Sequence, residues 1–175
     1  MSTQTTSDPV AALDALPEAE AAEQLASCCG SSEWVRRMLA RRPFGTRDAL
    51  LRAADDVWWS ISTKDWLEAF SHHPRIGERD AAAARPPRAA DWSADEQRGT
   101  SGAGDDVRAA LADSNREYER RFGHIYLVFA SGRSAAELLE NLRSRLGNDR
   151  RAELAIAAEE QRRITRARLQ RLLAP

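Results

Sequence analysis

Apolar residues recur at steps of three and four along most of this chain, and no segment alternates with period two over a strand length. Pro17 suits a first helical turn and Gly30 the position past a helix end, which frames a helix over Pro17 to Cys29. Ser31 or Ser32 can cap a second, carrying Trp34, Val35, Met38 and Leu39 inward before Pro43 stops it. Thr46 opens a third with Leu50, Ala54, Val57 and Ile61 on one face, and Thr63 can cap a short fourth bearing Trp66, Leu67 and Phe70. Met1 to Ser7 show no apolar period, so residues 1–9 are expected to form a flexible tail ahead of one helical domain over 10–175.

From His72 to Trp92 the period is lost, Pro74, Pro86 and Pro87 interrupt, and residues 81–90 are rich in Ala, Arg and Pro. A loop longer than about 12 to 15 residues in a compact domain is usually functional or disordered, so the first five residues of this loop are expected to be functional and its middle, within 78–91, mobile. Ser93-Ala94-Asp95-Glu96 fits a capping box, predicting a short helix from Ser93 to near Gly99. A longer helix follows over about Asp105 to Phe122, with Val107, Leu111, Tyr118 and Phe122 inward and Gly123 as its stop. The run Ile125 to Ala130 is too short and too uniformly apolar for periodicity to separate strand from buried helix. Ser134 to Glu137 is another capping box, opening a helix through Leu138, Leu142 and Leu146. Asp149 caps a last helix through Leu154, Ala158, Ile164 and Leu172. The expected fold class is all-α, a single-domain bundle of about seven to eight helices.

At 175 residues, with 42% apolar residues and 5 Trp, the chain can bury one real core. A net charge of -1, from 26 basic and 27 acidic residues, gives no field to gather nucleic acid or an acidic membrane, so a small molecule or a protein is the expected partner. Lys64 is the only Lys, and the Arg-rich, Ala-rich composition is read as a compositional bias. Adjacent Cys28 and Cys29 cannot form an ordinary disulfide and fit a reducing compartment. No apolar run approaches the ~20 residues of a membrane span, and neither a signal peptide nor a C-terminal Ser-Lys-Leu address is present, so a cytoplasmic protein is expected.

Of His72, His73 and His124, only His73 precedes a proline at the end of a helical run. That proline pushes His73 out of helical backbone space and lets its ring project into a cleft, where an imidazole can exchange protons at neutral pH. The same feature also suits a capping or surface histidine. No His, Cys or carboxylate cluster has ligand spacing, so no metal is expected. Ser93 and Glu96 are explained by a capping box alone, but Gln97 is not. A helix start facing a cleft would offer N–H groups to an anionic ligand, with Glu96 and Gln97 bonding amide-like groups. Arg145 can fork onto a carboxylate or carbonyl, or sit solvated near a helix C-terminus.

His73-Pro74-Arg75-Ile76-Gly77, Ser93-x-x-Glu96-Gln97-x-Gly99, Asn115-x-x-Tyr118-x-x-Arg121-Phe122-Gly123 and Leu142-x-x-Arg145-Leu146-x-Asn148-Asp149 follow one another here, with Glu153-Leu154 and Glu159-Glu160 behind them. In that order they resemble the signature of 2-oxo-4-hydroxy-4-carboxy-5-ureidoimidazoline (OHCU) decarboxylases. Upstream, Cys28-Cys29-Gly30-Ser31, Arg42-Pro43-Phe44 and Asp65 to Phe70 are similar to bacterial members, and the resemblance spans about residues 11–173. It implies an all-helical, cofactor-independent homodimer acting on a ureidoimidazoline, with His73 as acid/base and Glu96 as its close partner. Pro74, Ser93, Gln97, Arg145 and the backbone of Ile125, Tyr126, Leu127, Val128 and Phe129 would line the substrate. Two other readings stay open at this stage. One is a non-catalytic helical interaction module, which predicts no cleft joining His73, Glu96 and Arg145; the other is a related enzyme acting on a different ureide or imidazolone.

Overall fold

The computed structural model describes residues 8–77, 87–100 and 102–174, and among them the chain forms nine α-helices and no strand. In chain order these are α1 (Pro9–Ala15), α2 (Glu18–Cys28), α3 (Ser32–Leu39), α4 (Arg47–Ser60), α5 (Thr63–Ser71), α6 (Pro87–Glu96), α7 (Asp105–Phe122), α8 (Ala135–Arg145) and α9 (Arg150–Leu172). The all-α expectation holds. The helix count exceeds seven to eight partly because α1, at 7 residues, is too short to show a period in sequence. Asp8 caps α1 through Val10 N–H at 3.1 Å, and the Arg42 guanidinium takes the carbonyls of Leu13, Asp14 and Leu16 at its far end. Of the expected tail 1–9, Asp8 is the cap and Pro9 the first residue of α1, and residues 1–7 lie outside the described ones.

Most other helix ends follow local chemistry. Ser31 and Thr46 cap α3 and α4, Ser134 and Glu137 form the reciprocal box that opens α8, and Asp149 caps α9. Gly123, at φ 81°, ends α7 in the left-handed conformation that favours glycine. Two starts differ from expectation. Ser62, not Thr63, caps α5, because only Ser62 has an acid three residues on: Asp65 returns the bond to the Ser62 N–H at 2.9 Å. Ser93 is no cap, since α6 already begins at Pro87, where a missing N–H costs nothing, and Gln97 N–H bonds the Ser93 carbonyl at 3.2 Å within the turn. Residues 87–91 of the expected loop are thus helical, and 78–86 lie outside the described residues.

The helices bury two apolar clusters. One gathers Trp34, Leu50, Trp58, Phe70 and residues of α9; the other joins α7 and α8 through Leu111, Tyr118, Leu138 and Leu142. Residues 125–130 run between them without helix or strand. Tyr126, Val128 and Ala130 enter the second cluster, while Leu127 enters the first with Ile125 and Phe129 packed beside it. An extended backbone sends successive side chains to opposite sides, so a uniformly apolar run serves two cores at once. Helix α9 packs on α2, α4, α5 and α7, and its buried positions include Glu153, Gln161, Thr165 and Arg168. No helix among the described residues is long and apolar enough to cross a membrane.

Trp34 is wholly buried, with its indole N–H donating to the Ala54 carbonyl at 3.1 Å. Trp34→Ala should cost about 3–5 kcal/mol of stability, read as a lower urea midpoint at unchanged slope. A midpoint within error of the parent would show that this cluster is not the core.

Candidate active site

The end of α5 and Pro74 together place His73. His73 N–H bonds the Phe70 carbonyl at 3.1 Å as the helix closes, and the following proline has no N–H to continue it. Loop 73–77 is then tied from three sides. Asn115 of α7 donates to the Ile76 carbonyl at 3.1 Å, the Gln97 side-chain oxygen accepts from Gly77 N–H at 3.1 Å, and Arg75 forks onto Glu119. A fourth tie comes from α9, where Gln161 Oε1 lies 2.8 Å from His73 Nε2.

This loop forms one side of a cavity with an empty volume of about 290 Å3, mouth included. His73, Pro74 and Ile76 face Ser93 and Glu96 of α6, and Gln97 just after it, across the cavity. Tyr126, Leu127 and Val128 supply the third wall, with Ile164 of α9 beside them. His73 and Glu96 therefore share one cavity, which an interaction module would not require. Gly99 follows closely behind Gln97, and a Cβ there would stand 2.1 Å from the Arg133 carbonyl oxygen, so only glycine lets this turn pass the segment leading to α8.

Ser93 and Glu96 do not cap a helix. Both turn to Arg168 of α9, which forks onto the Glu96 carboxylate at 2.9 and 2.8 Å and donates to Ser93 Oγ at 2.9 Å. The expected cluster of free N–H groups at a helix start is absent here, because residue 93 lies inside α6. Charge at the cavity instead comes as a nearly buried ion pair, and either partner alone would be an uncompensated charge.

Arg145 is not among the cavity-lining residues. It lies behind the 125–130 wall, 5% exposed, with Nε and one terminal nitrogen on Glu153, the other on the Leu127 carbonyl at 2.7 Å, and its charge over the Tyr118 and Tyr126 rings. Burial opposes its charge, but the Glu153 carboxylate outweighs this and holds the guanidinium pKa above its usual value. The Tyr118 hydroxyl and Asn148 also bond Glu153. Burial pushes the Tyr118 and Tyr126 phenols well above the ordinary range, so both stay protonated. Of the expected backbone positions, 126–128 line the cavity; Ile125 and Phe129 point to the other core, and Phe129 N–H bonds Glu160 at 2.5 Å.

His72 lies against Gly30, and His124 is ringed by Phe70, Tyr118 and Phe122, where burial lowers its pKa. Neither lines the cavity. Among the described residues no group of His, Cys, Asp or Glu could hold a metal ion. Gln161, Thr165 and Arg168 are what the sequence reading missed. Their signal was present: polar residues at steps of four and three on the face that carries Ala158 and Ile164.

Comparison with known proteins places this architecture. A plant protein, the uric acid degradation bifunctional protein TTL of Arabidopsis thaliana, is 36% identical over 146 residues, 83% of this chain, although the chain spans only 45% of that protein's length. The crystal structure of an OHCU decarboxylase in the presence of (S)-allantoin superposes with a TM-score of 0.76 at 34% identity, over 87% of this chain and 99% of the other. A structure of (S)-allantoin synthase shares the fold, with a TM-score of 0.69 at 18% identity over 94% of this chain and 54% of that one. The family model for OHCU decarboxylase matches residues 14–170, which include the residues named above at loop 73–77 and around the cavity, and the chain belongs to that family.

Proposed function

We propose that this protein decarboxylates OHCU to (S)-allantoin and CO2 in urate breakdown, with His73 as the acid/base. The observation that carries the reading is the shared cavity of His73 and Glu96, in a chain whose family and 34%-identical structural relative are OHCU decarboxylases. The substrate's ring contains a C=N bond next to the carboxylated carbon. As the C–C bond to the carboxylate breaks, its electron pair forms a ring C=C bond and the C=N pair moves to nitrogen, which takes a proton. The hydroxyl then loses its proton to His73 and becomes a carbonyl, while the neighbouring carbon is protonated from one face. This internal acceptor removes the need for a cofactor, so the protein's work is positioning and proton traffic.

Glu96, oriented by the Arg168 fork, favours the imidazolium that forms when His73 takes its proton, and its remaining lone pairs suit ureide N–H groups. Ser93 of the same helix and Gln97 just beyond its end add polar contacts, and the backbone of 126–128 supplies the opposite side. Arg145 contributes through that wall, whose Leu127 carbonyl it holds. By the same reading the enzyme is a cytoplasmic homodimer, which sedimentation velocity tests.

His73→Asn should lower kcat by about 10²- to 10⁴-fold while the far-ultraviolet circular dichroism is unchanged. Turnover of freshly generated OHCU at near the parental rate would remove His73 from the chemistry. The same assay, followed as the growing optical signal of one allantoin enantiomer, separates this substrate from other ureides. Arg168→Met strands the Glu96 charge and should reduce kcat/KM by more than about tenfold, with a stability loss of about 3–5 kcal/mol. Arg145→Met should show a similar stability loss together with a lower kcat/KM, and an unchanged kcat/KM would detach Arg145 from the site.

A further inference from the structure

Cys28-Cys29-Gly30-Ser31 carries no role in the chemistry described so far, yet it abuts a buried polar chain that ends on His73. Gln161 Oε1 lies 2.8 Å from His73 Nε2, and the other end of the same amide donates to Thr165 Oγ1 at 3.1 Å. The Thr165 hydroxyl also lies beside the Cys29 thiol. Gln161 is fully buried, and Cys29, Thr165 and His73 are buried around it.

An amide has two different ends, and the proton on the ring decides which end it can meet. If the Gln161 NH2 faced Nε2, it could bond only a neutral ring whose proton sat on Nδ1, and each imidazolium formed in turnover would press N–H against N–H. With the carbonyl facing Nε2, both the neutral ring protonated at Nε2 and the imidazolium are satisfied. In this orientation the other end of the amide donates to Thr165 Oγ1, so both ends of the buried group are satisfied. Burial pushes the Cys29 thiol up to about 11, so the far end of the chain is uncharged at neutral pH. The chain therefore orients the ring without adding charge, unlike a carboxylate in the same place.

We propose that Gln161, held by its bond to Thr165, is a positioning residue that keeps the proton of neutral His73 on Nε2. This rests on His73 being the acid/base, but its test does not depend on turnover. Long-range 1H–15N correlation spectra of the 15N-labelled protein, at a pH where the His73 ring is neutral, should show the Nε2–H tautomer. Q161L should populate both tautomers and lower kcat by about tenfold or more, a share of the usual acid/base contribution, with KM changed by less than about twofold. Q161E keeps an oxygen acceptor at the same reach and should restore the Nε2–H pattern. An Nδ1–H ring in the parent protein overturns the proposal, and so does Q161L that keeps a pure Nε2–H ring. Should His73→Asn remain active, the acid/base reading fails while the tautomer result stands by itself.

Discussion

A buried guanidinium has to be satisfied on every side, and Arg145 meets that demand in a way that shapes the rest of the molecule. Glu153 neutralises it from the first turns of α9, the Leu127 carbonyl takes one terminal nitrogen, and two tyrosine rings lie against its charge. The side chain comes from the last turn of α8, so one cluster joins α8, α9, α7 and the extended segment between the two cores. Ion pairs this deeply buried add little net stability compared with apolar residues of the same shape, but breaking one is costly. What the cluster gives is definition. Segment 125–130 has no ladder partner and no helical turn of its own, yet its backbone is held where it can form a cavity wall.

The cavity follows from the same logic applied to two more strips of chain. Loop 73–77 is nailed by Gln97 just after α6, Asn115 and Glu119 of α7, and Gln161 of α9. The face of α6 is fixed by Arg168, which gathers Ser93 and Glu96 onto α9. Helix α9 thus works as a polar spine: Glu153, Gln161, Thr165 and Arg168 are all buried, and each either pairs a charge or orients another polar side chain. A site that relies on its substrate as electron acceptor needs little else from the protein than such fixed geometry.

Much of this was legible in the chain. Helical spacing and the absence of period-two alternation establish the all-α class, and Ser134-Glu137, Asp149 and Gly123 mark helix ends because capping is decided within four residues. Pro74 marks in the sequence the helix end beside which His73 stands. The ordered motifs identify the residues that matter, Asn115, Tyr118, Arg145 and Glu153 among them, without saying what each one touches.

That second question is decided by contacts across long stretches of chain. Ser93-x-x-Glu96 reads locally as a capping box, and only the approach of Arg168, 72 residues beyond Glu96, turns both side chains to another purpose. Arg145 reads locally as a ligand-facing or solvated cation, whereas folding encloses it behind the wall. Helical periodicity reports which face of α9 is inward, but whether a polar residue on that face is an error or a partner depends on what lies opposite. Sequence by itself therefore determined the helical class and most helix ends, because dihedral preference and hydrophobic period are local. The pairing of the charges, and with it the shape of the site, belongs to the tertiary structure, since a buried charge takes its meaning from its partner.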